Sequence, residues 1–414
     1  EELRATGDLD ASKRRAIEAL IKANNSEDDI AWENARLAEQ GCLTYIAKYP
    51  AGVHTIEAKQ LIEEFKKRRI EAGVARDRIV EKLHKNPNSF TPGMIRQYLN
   101  NNTITTNDLL NVGIPNDVIS CLDNIVIPNI QLGLTPKSIP EGYTEVYFWG
   151  IPGSGKTCAL AAILGTGNKK GYLEIAKSTG YNYAVKLQHI FSNRISFLPA
   201  ASPVDTTQYL PFSLKKPDEK KSRSVSLIEL SGEVFQCFHY KNAGLPMPSP
   251  QHEQTFNTLI QFLNSKNRKM HFFFVDYDVE NKPDPAGYCQ SDYLSAAALF
   301  FNDKQNNIFN NTTVAIYIVL TKSDLMPCEK EDRVHQMKEY LRDNNYLAFV
   351  NSLRSKCEKY SINAKKILGT PFSLGKVYFN DMCAFDPESA TNIIDILNRR
   401  IKPKKESILD FFNK

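Results

Sequence analysis

The chain has 414 residues, of which 42% are hydrophobic and 24% are charged, so its composition is that of a folded protein and excludes a disordered or collagen-like chain. Its 52 Lys and Arg residues outnumber its 47 Asp and Glu residues by only five, and this weak bias does not indicate a nucleic-acid-binding protein. The longest apolar run, 314–320, is far shorter than the roughly 20 residues that cross a bilayer. With no signal-like start and eight scattered cysteines, we expect a cytoplasmic protein with reduced thiols.

The first 85 residues have a helical pattern, because their apolar side chains recur at steps of three and four positions. A Tyr-Pro-Ala-Gly break at 49–52 ends one helix, and Thr55 begins the next. This antiparallel hairpin resembles a single tetratricopeptide-like repeat. The charged run 63–69 has acidic and basic residues at helical spacing, which favours a solvated helix face over a basic patch.

Residues 86–140 are predicted to form a small helical module followed by a linker. Pro92 and Pro115 each stand where a helix would begin, and Gly113 ends a short helix between them. The module could bind a protein partner or serve as a spacer, and the sequence leaves both open. A short tail, 403–414, closes the chain.

A phosphate-binding loop is the most specific motif. The β-branched and aromatic run 144–149 is followed by Gly-Ile-Pro-Gly-Ser-Gly-Lys-Thr at 150–157 and then by good helix formers, which is the strand–loop–helix context of G-x-x-x-x-G-K-[ST]. In such loops the Lys contacts the β- and γ-phosphates, and the Thr hydroxyl binds Mg²⁺. The residues predicted to bind nucleotide here are Gly150, Gly153, Ser154, Gly155, Lys156, Thr157 and Cys158.

A second motif, Thr-Lys-Ser-Asp at 321–324, directly follows the apolar strand 314–320. Together the two motifs resemble the P-loop GTPase superfamily. The resemblance implies that Asp324 accepts hydrogen bonds from guanine and that Lys322 lies along the base. Thr321 stands where asparagine is commoner, which is expected to loosen its tie to the phosphate loop.

The resemblance also places an acid and a glycine between these motifs. Glu229 and Gly232 fit, with Glu in place of Asp, so Glu229 would orient Mg²⁺ and Gly232 would sense the γ-phosphate. Glu233 occupies the position of a water-orienting glutamine, which predicts slow hydrolysis, raised by an arginine from a partner or a dimer. A competing interpretation makes Asp276, at the end of another apolar strand, the Mg²⁺-orienting acid of an ATPase.

Two further positions are placed by order along the chain. Thr207, with Thr206 as second choice, is predicted to be the switch threonine that closes on Mg²⁺ and the γ-phosphate. A last strand at 376–380 would lead to a loop at 381–384 that meets the guanine carbonyl.

We therefore predict an all-α region followed by an α/β domain at 141–402, a three-layer α/β/α sandwich with a mostly parallel sheet. The spacings between motifs are long and imply insertions, and residues 210–212, 231–233 and 275–278 also resemble inserted bacterial GTPases of the double-GTPase type. The predicted function is a slow, Mg²⁺-dependent GTP switch with GTP and Mg²⁺ as cofactors. The alternatives are the ATPase and a non-catalytic interaction protein that nucleotide stabilises.

Overall fold

The computed structural model describes residues 11–126, 128, 138–178, 180–200, 207–279, 282–303, 308–343 and 345–402. The tail 403–414, Thr206 and most of the predicted linker lie outside these ranges. The chain divides into two compact units. The first comprises residues up to Asn86 and Arg96–Gly113, and the second comprises Pro87–Ile95 and the residues from Ile114 onward. Within the described ranges, every helix is too short or too polar to span a bilayer.

The first unit is built from helices. They are α1 (Ala11–Ala35), α2 (Glu39–Lys48), α3 (Thr55–Lys85) and α5 (Thr106–Asn111), while α4 (Pro92–Asn100) begins at the predicted proline. The α1–α3 core contains Trp32, Tyr45 and Ile62. The buried Asp28 accepts hydrogen bonds from the Tyr45 hydroxyl and from the Val53 N–H, so a carboxylate of α1 holds the turn that precedes α3. As predicted, α3 begins at Thr55.

The second unit is an α/β domain. Its main strands are β1 (Thr144–Trp149), β2 (Leu173–Ile175), β4 (Thr207–Leu214), β5 (Arg223–Leu230), β6 (Arg268–Asp276), β7 (Thr313–Thr321) and β8 (Leu368–Pro371). The remaining strands are β3 (Ile195–Phe197), β9 (Gly375–Tyr378) and β10 (Met382–Phe385). Its helices are α6 (Asn116–Ser120), α7 (Lys156–Lys169), α8 (Tyr181–Ile190), α9 (Gly232–Asn242), α10 (Pro250–Leu263), α11 (Gln290–Asn302), α12 (Arg333–Asp343), α13 (Leu347–Lys359) and α14 (Glu388–Arg400).

Seven strands form one sheet in the order β2-β4-β5-β1-β6-β7-β8. Strands β5, β1, β6, β7 and β8 are parallel. At one edge β4 pairs antiparallel with β5, and β2 pairs antiparallel with β4. The carboxyl ends of β1, β5, β6 and β7 therefore meet at one edge of the sheet, where open α/β sheets bind ligands.

Helices cover both faces of the sheet. Alternate side chains of β1 point to opposite sides: Val146 and Phe148 pack with α7, α8 and α14, whereas Tyr147 and Trp149 pack with α9, α11 and α13. Because each strand carries apolar residues on both faces, the strands are nearly continuous hydrophobic runs. This is the predicted three-layer α/β/α sandwich with a mostly parallel sheet.

The last part of the sheet differs from the prediction. The strand beside β7 is β8, whereas residues 376–378 belong to β9, which pairs with β10 in a separate three-stranded antiparallel sheet. The predicted loop 381–384 lies mostly within β10. The short Leu-Gly-Thr-Pro sequence of β8 has weak strand propensity, and the pairing with β7 makes it a strand.

Candidate nucleotide-binding site

The loop between β1 and α7 winds tightly and needs its glycines. Gly150, Gly153 and Gly155 have φ values of +154°, +75° and +84°, which other residues rarely adopt. A Cβ on Gly150 would also lie 2.9 Å from the Phe274 carbonyl oxygen. Helix α7 starts directly after the loop, so its unpaired N–H groups and positive dipole end lie at this edge of the sheet. The arrangement is that of an anion-binding loop.

Lys156 is the cation inside this loop. Its buried ammonium donates hydrogen bonds to the carbonyl oxygens of Gly150 and Ile151, each at 2.8 Å. Burial lowers the pKa of Lys156 to about 8, against the opposing effect of the nearby Glu229 carboxylate. A polyanion bound in the loop would stabilise the charged ammonium, because it would supply an opposite charge where burial has removed the solvating water.

Glu229 lies at the end of β5, next to β1, and faces the first turn of α7. One of its carboxylate oxygens accepts a hydrogen bond from the Thr157 hydroxyl, and the other accepts one from the Tyr183 hydroxyl of α8. The side chain is buried. The additional methylene of Glu, compared with Asp, does not prevent contact with Thr157. A hydroxyl and a carboxylate are oxygen ligands of the kind that Mg²⁺ prefers, and Mg²⁺ commonly uses few protein ligands together with phosphates.

Asp276, the competing acid, has a different partner. Its buried carboxylate lies 2.9 Å from the Lys322 ammonium, and its backbone is fixed by two hydrogen bonds to the Gln290 side-chain amide. Burial raises the pKa of Asp276, although Lys322 opposes the shift. Of the two acids, Glu229 contacts the Thr157 hydroxyl of the loop, whereas Asp276 pairs with Lys322.

The segment 321–324 is tied to the phosphate loop. Thr321 Oγ1 lies 3.1 Å from the Ser154 carbonyl oxygen and 3.2 Å from the Val275 carbonyl oxygen. A tie to the loop is therefore present with threonine at this position, and the expectation that it is looser than an asparagine would make it stays a prediction. Lys322 adopts a left-handed backbone conformation with φ of +53°, and its side chain reaches Asp276. Burial disfavours its charge, but the carboxylates beside it prevail and raise the pKa of Lys322.

Asp324 is held by a residue that the sequence did not indicate. The Ser373 hydroxyl donates a hydrogen bond of 2.7 Å to Asp324 Oδ1, and the Ser323 N–H donates to the Phe372 carbonyl oxygen at 3.2 Å. The loop beside the 321–324 motif is thus 372–374, which joins β8 to β9. The predicted loop 381–384 is wrong, because that stretch pairs with β9 instead.

Tyr183 is a second residue of the site that the sequence does not indicate. It lies on α8 within the inserted region between α7 and β4, and no local motif marks it. A tyrosine with a buried ring usually pairs its hydroxyl, and here the partner is Glu229. Only the tertiary packing of α8 on α7 brings the two together.

Gly232 makes the closest backbone approach in the site. A Cβ at this position would overlap the Pro152 nitrogen and lie 2.5 Å from the Ile151 carbonyl carbon. Helix α9 begins here, and the Ser231 hydroxyl accepts a hydrogen bond from the Glu233 N–H at its first turn. The amino end of α9 therefore touches the phosphate loop through bare backbone.

Glu233 and Thr207 lie at the same edge of the sheet. The Glu233 carboxylate is about half exposed and lies 3.7 Å from His252 Nε2 of α10. Thr207 is buried at the start of β4 and pairs with Leu230, the last residue of β5. Cys158 follows Thr157 on α7, and burial raises the pKa of its thiol to about 12.

Comparison with known proteins gives no sequence relative. No model of a protein family matches the chain, and no curated protein matches it. Three solved structures show distant similarity to the chain. Roco2 RocCORdC from Methanosarcina barkeri bound to GDP is 13% identical over 64% of this chain and 51% of that chain, with a TM-score of 0.27. The S. cerevisiae Ski7 GTPase-like domain bound to GTP is 14% identical over 64% of this chain and 53% of that chain, with a TM-score of 0.30, and the signal recognition particle receptor SRb-GTP/SRX complex from Chaetomium thermophilum is 15% identical over 55% and 93%, with a TM-score of 0.27. The chain spans about half the length of the first two.

The sheet order, the glycine loop between β1 and α7, and the 321–324 motif after β7 are thus joined at one edge of the domain. This edge has the architecture of a P-loop nucleotide-binding α/β fold.

Proposed function

We propose that the chain binds GTP together with Mg²⁺, hydrolyses it slowly and acts as a nucleotide-controlled switch. Two contacts support this proposal most directly. The Ser373 hydroxyl orients the Asp324 carboxylate, and Thr321 connects the segment that contains Asp324 to Ser154 of the phosphate loop. A base bound against Asp324 would thus have its phosphates within reach of the loop.

The proposed base is guanine, because of the chemistry of Asp324. A carboxylate accepts hydrogen bonds at both oxygens, and guanine offers two adjacent donors, the ring N–H and the exocyclic amine. Adenine has no such pair of donors on that edge. Ser373 uses one lone pair of Oδ1 and leaves acceptor capacity on the carboxylate.

The proposed metal ligands are the hydroxyls of Thr157 and Thr207, with Glu229 acting through a metal-bound water. The hydrogen bond from Thr157 to Glu229 places two of these groups together, and Thr207 starts the strand beside Glu229. Bound Mg²⁺ would neutralise negative charge on the β- and γ-phosphates. Lys156 would hold the same phosphates from within the loop.

Hydrolysis is proposed to be slow because Glu233 is poorly suited to orient water. Its carboxylate can accept a hydrogen bond from the attacking water but cannot donate one to the γ-phosphate. The Glu233 carboxylate also lies close to a different side chain, with Oε2 at 3.7 Å from His252 Nε2 of α10. We propose that a partner protein bound by the amino-terminal helices, or a second copy of the chain, supplies an arginine that raises the rate.

Tyr183→Phe tests the role assigned to Glu229. The substitution keeps the ring but removes one of the two hydroxyls that hold the carboxylate, so the Mg²⁺ concentration for half-maximal GTP binding should rise about tenfold. Fluorescent-nucleotide titrations over a range of Mg²⁺ concentrations would measure it, with Tyr181→Phe on the exposed part of the same helix as the matched control. An unchanged Mg²⁺ dependence would remove Glu229 from the metal site.

Single-turnover assays test hydrolysis itself. Full-length protein loaded with GTP and Mg²⁺ should release phosphate slowly, and Lys156→Ala should not bind GTP measurably. A protein that binds GTP but releases no phosphate would support the alternative in which nucleotide only stabilises the fold. Tighter binding of ATP than of GTP would support an ATPase.

A further inference from the structure

The chain's excess positive charge is concentrated at the end of the sheet opposite the nucleotide site. Two segments form this surface, the turn 215–223 between β4 and β5 and the end of α14 with the residues after it, 395–402. They contain eight basic side chains against three acidic ones, a net charge of +5, which equals the formal net charge of the entire chain. We call this surface the basic groove.

Direct contacts join the two segments. The Lys216 ammonium lies 2.8 Å from the Asp395 carboxylate, and Arg223 Nε donates a hydrogen bond of 3.0 Å to the Ile401 carbonyl oxygen. Glu219 pairs with Arg223. Two of the three acidic side chains are therefore already neutralised within the surface. The exposed cations that remain are Lys215, Lys220, Lys221, Arg399 and Lys402.

The surface is concave. One depression of about 380 Å³ has Lys215, Lys216 and Lys220 in its lining, together with one acidic side chain, Glu174. A second of about 920 Å³ has Lys216, Arg399 and Arg400, together with Asp395. Lys216 belongs to both, so the two depressions adjoin. Strand β5 begins in this surface and ends at Leu230 beside the phosphate loop, so the basic groove is a strand length away from the proposed GTP site.

We propose that the basic groove binds the phosphate backbone of a double-stranded nucleic acid. A row of lysines that borders a groove suits regularly spaced phosphates, which need charge and reach but no base-specific contacts. Within these two segments as described, no large hydrophobic side chain is exposed that could insert into a bilayer. Two aromatic side chains line the depressions, and neither presents a fully exposed ring to single-stranded bases. Tyr317 is buried with Arg400 over its ring, and Tyr172 is partly buried with the Lys170 ammonium over its ring.

The other conspicuous basic run, 66–69 on α3, is a useful contrast. Three of its members pair with glutamates: Lys66 with Glu63, Arg68 with Glu64 and Arg69 with Glu39. This run is a solvated face with interspersed charges, as predicted. The basic groove has fewer acids to offset it.

Fluorescence anisotropy with a 20-base-pair duplex DNA of mixed sequence tests the proposal on the full chain. If about five phosphates are contacted, the logarithm of the binding constant should fall with the logarithm of salt concentration at a slope near −4.5, roughly a 500-fold loss between 50 and 200 mM. The triple variant Lys215→Glu, Lys220→Glu, Lys221→Glu should abolish binding at 50 mM salt. Its matched control is Lys66→Glu, Lys67→Glu, Arg68→Glu, which makes the same change in charge and should bind nearly as wild type does.

Thermal unfolding curves of both variants would verify that they are folded. Neither this measurement nor duplex binding requires bound GTP, so the outcome is independent of the proposed GTP site. Three results would overturn the proposal. The first is that wild type does not bind the duplex at 50 mM salt. The second is that the α3 variant loses duplex binding while the groove variant keeps it. The third is that wild type binds vesicles containing phosphatidylserine and does not bind duplex DNA.

Discussion

Asp324→Asn is expected to transfer the chain's preference from guanine to xanthine nucleotides. The carboxylate accepts from two donors of guanine, whereas the Asn amide nitrogen would face the exocyclic amine as a second donor. A hydrogen bond to a charged group contributes about 1.5–3 kcal/mol, so the loss of the bond to the exocyclic amine should lower GTP affinity about 10- to 150-fold. Xanthine has a carbonyl in place of that amine and can accept from Asn, so XTP binding should strengthen.

Ser373 should hold the substituted side chain in the position that Asp324 occupies. Its hydroxyl donates to Asp324 Oδ1, and the Asn carbonyl oxygen can accept the same bond, so the side chain should keep its position. The matched control is Asp278→Asn, a nearby exposed carboxylate that contacts Lys322. Competition titrations with GTP, ATP and XTP would measure both variants. If the Asp324→Asn protein still binds GTP more tightly than XTP, Asp324 has no part in recognition of the base.

Gly232→Ala is expected to disrupt the contact between α9 and the phosphate loop. The new Cβ would meet the backbone of Ile151 and Pro152, and backbone atoms cannot rotate away as a side chain would. Either the loop or the first turn of α9 must shift, at a cost of about 1–3 kcal/mol in the free energy of unfolding. Because the loop is proposed to bind the phosphates, GTP affinity should fall at least tenfold.

Denaturant unfolding and nucleotide titration would measure the two effects. Gly73→Ala is the matched control, because Gly73 lies inside α3 and an added Cβ there would meet no atom within 4 Å. Removing glycine from a helix interior should stabilise the protein by about 0.5–1 kcal/mol and leave GTP binding unchanged. A Gly232→Ala protein with wild-type stability and affinity would show that the close approach is dispensable.

The parts of the site that the sequence predicted are those encoded locally. Strand β1, the glycine loop and the start of α7 are adjacent in the chain, and the 321–324 motif directly follows a fully apolar strand. In each case a short pattern determines both the structure and the chemistry. Both motifs lie at one edge of the sheet because each follows the carboxyl end of a parallel strand.

The parts that the sequence did not predict depend on distant pairing. Ser373 reaches Asp324 because the short strand β8 pairs with β7, and Tyr183 reaches Glu229 because α8 packs beside α7. The basic groove joins segments about 180 positions apart, so neither composition nor a local charge run reveals it. Long-range contacts of this kind leave no periodic signal in the sequence.

Guanine selectivity is the central claim, and competition binding of GTP and ATP to the full chain in Mg²⁺ tests it most directly. The arrangement of Asp324, Ser373 and Thr321 predicts that GTP binds at least 100-fold more tightly than ATP. Equal affinity for the two nucleotides, or tighter binding of ATP, would contradict it.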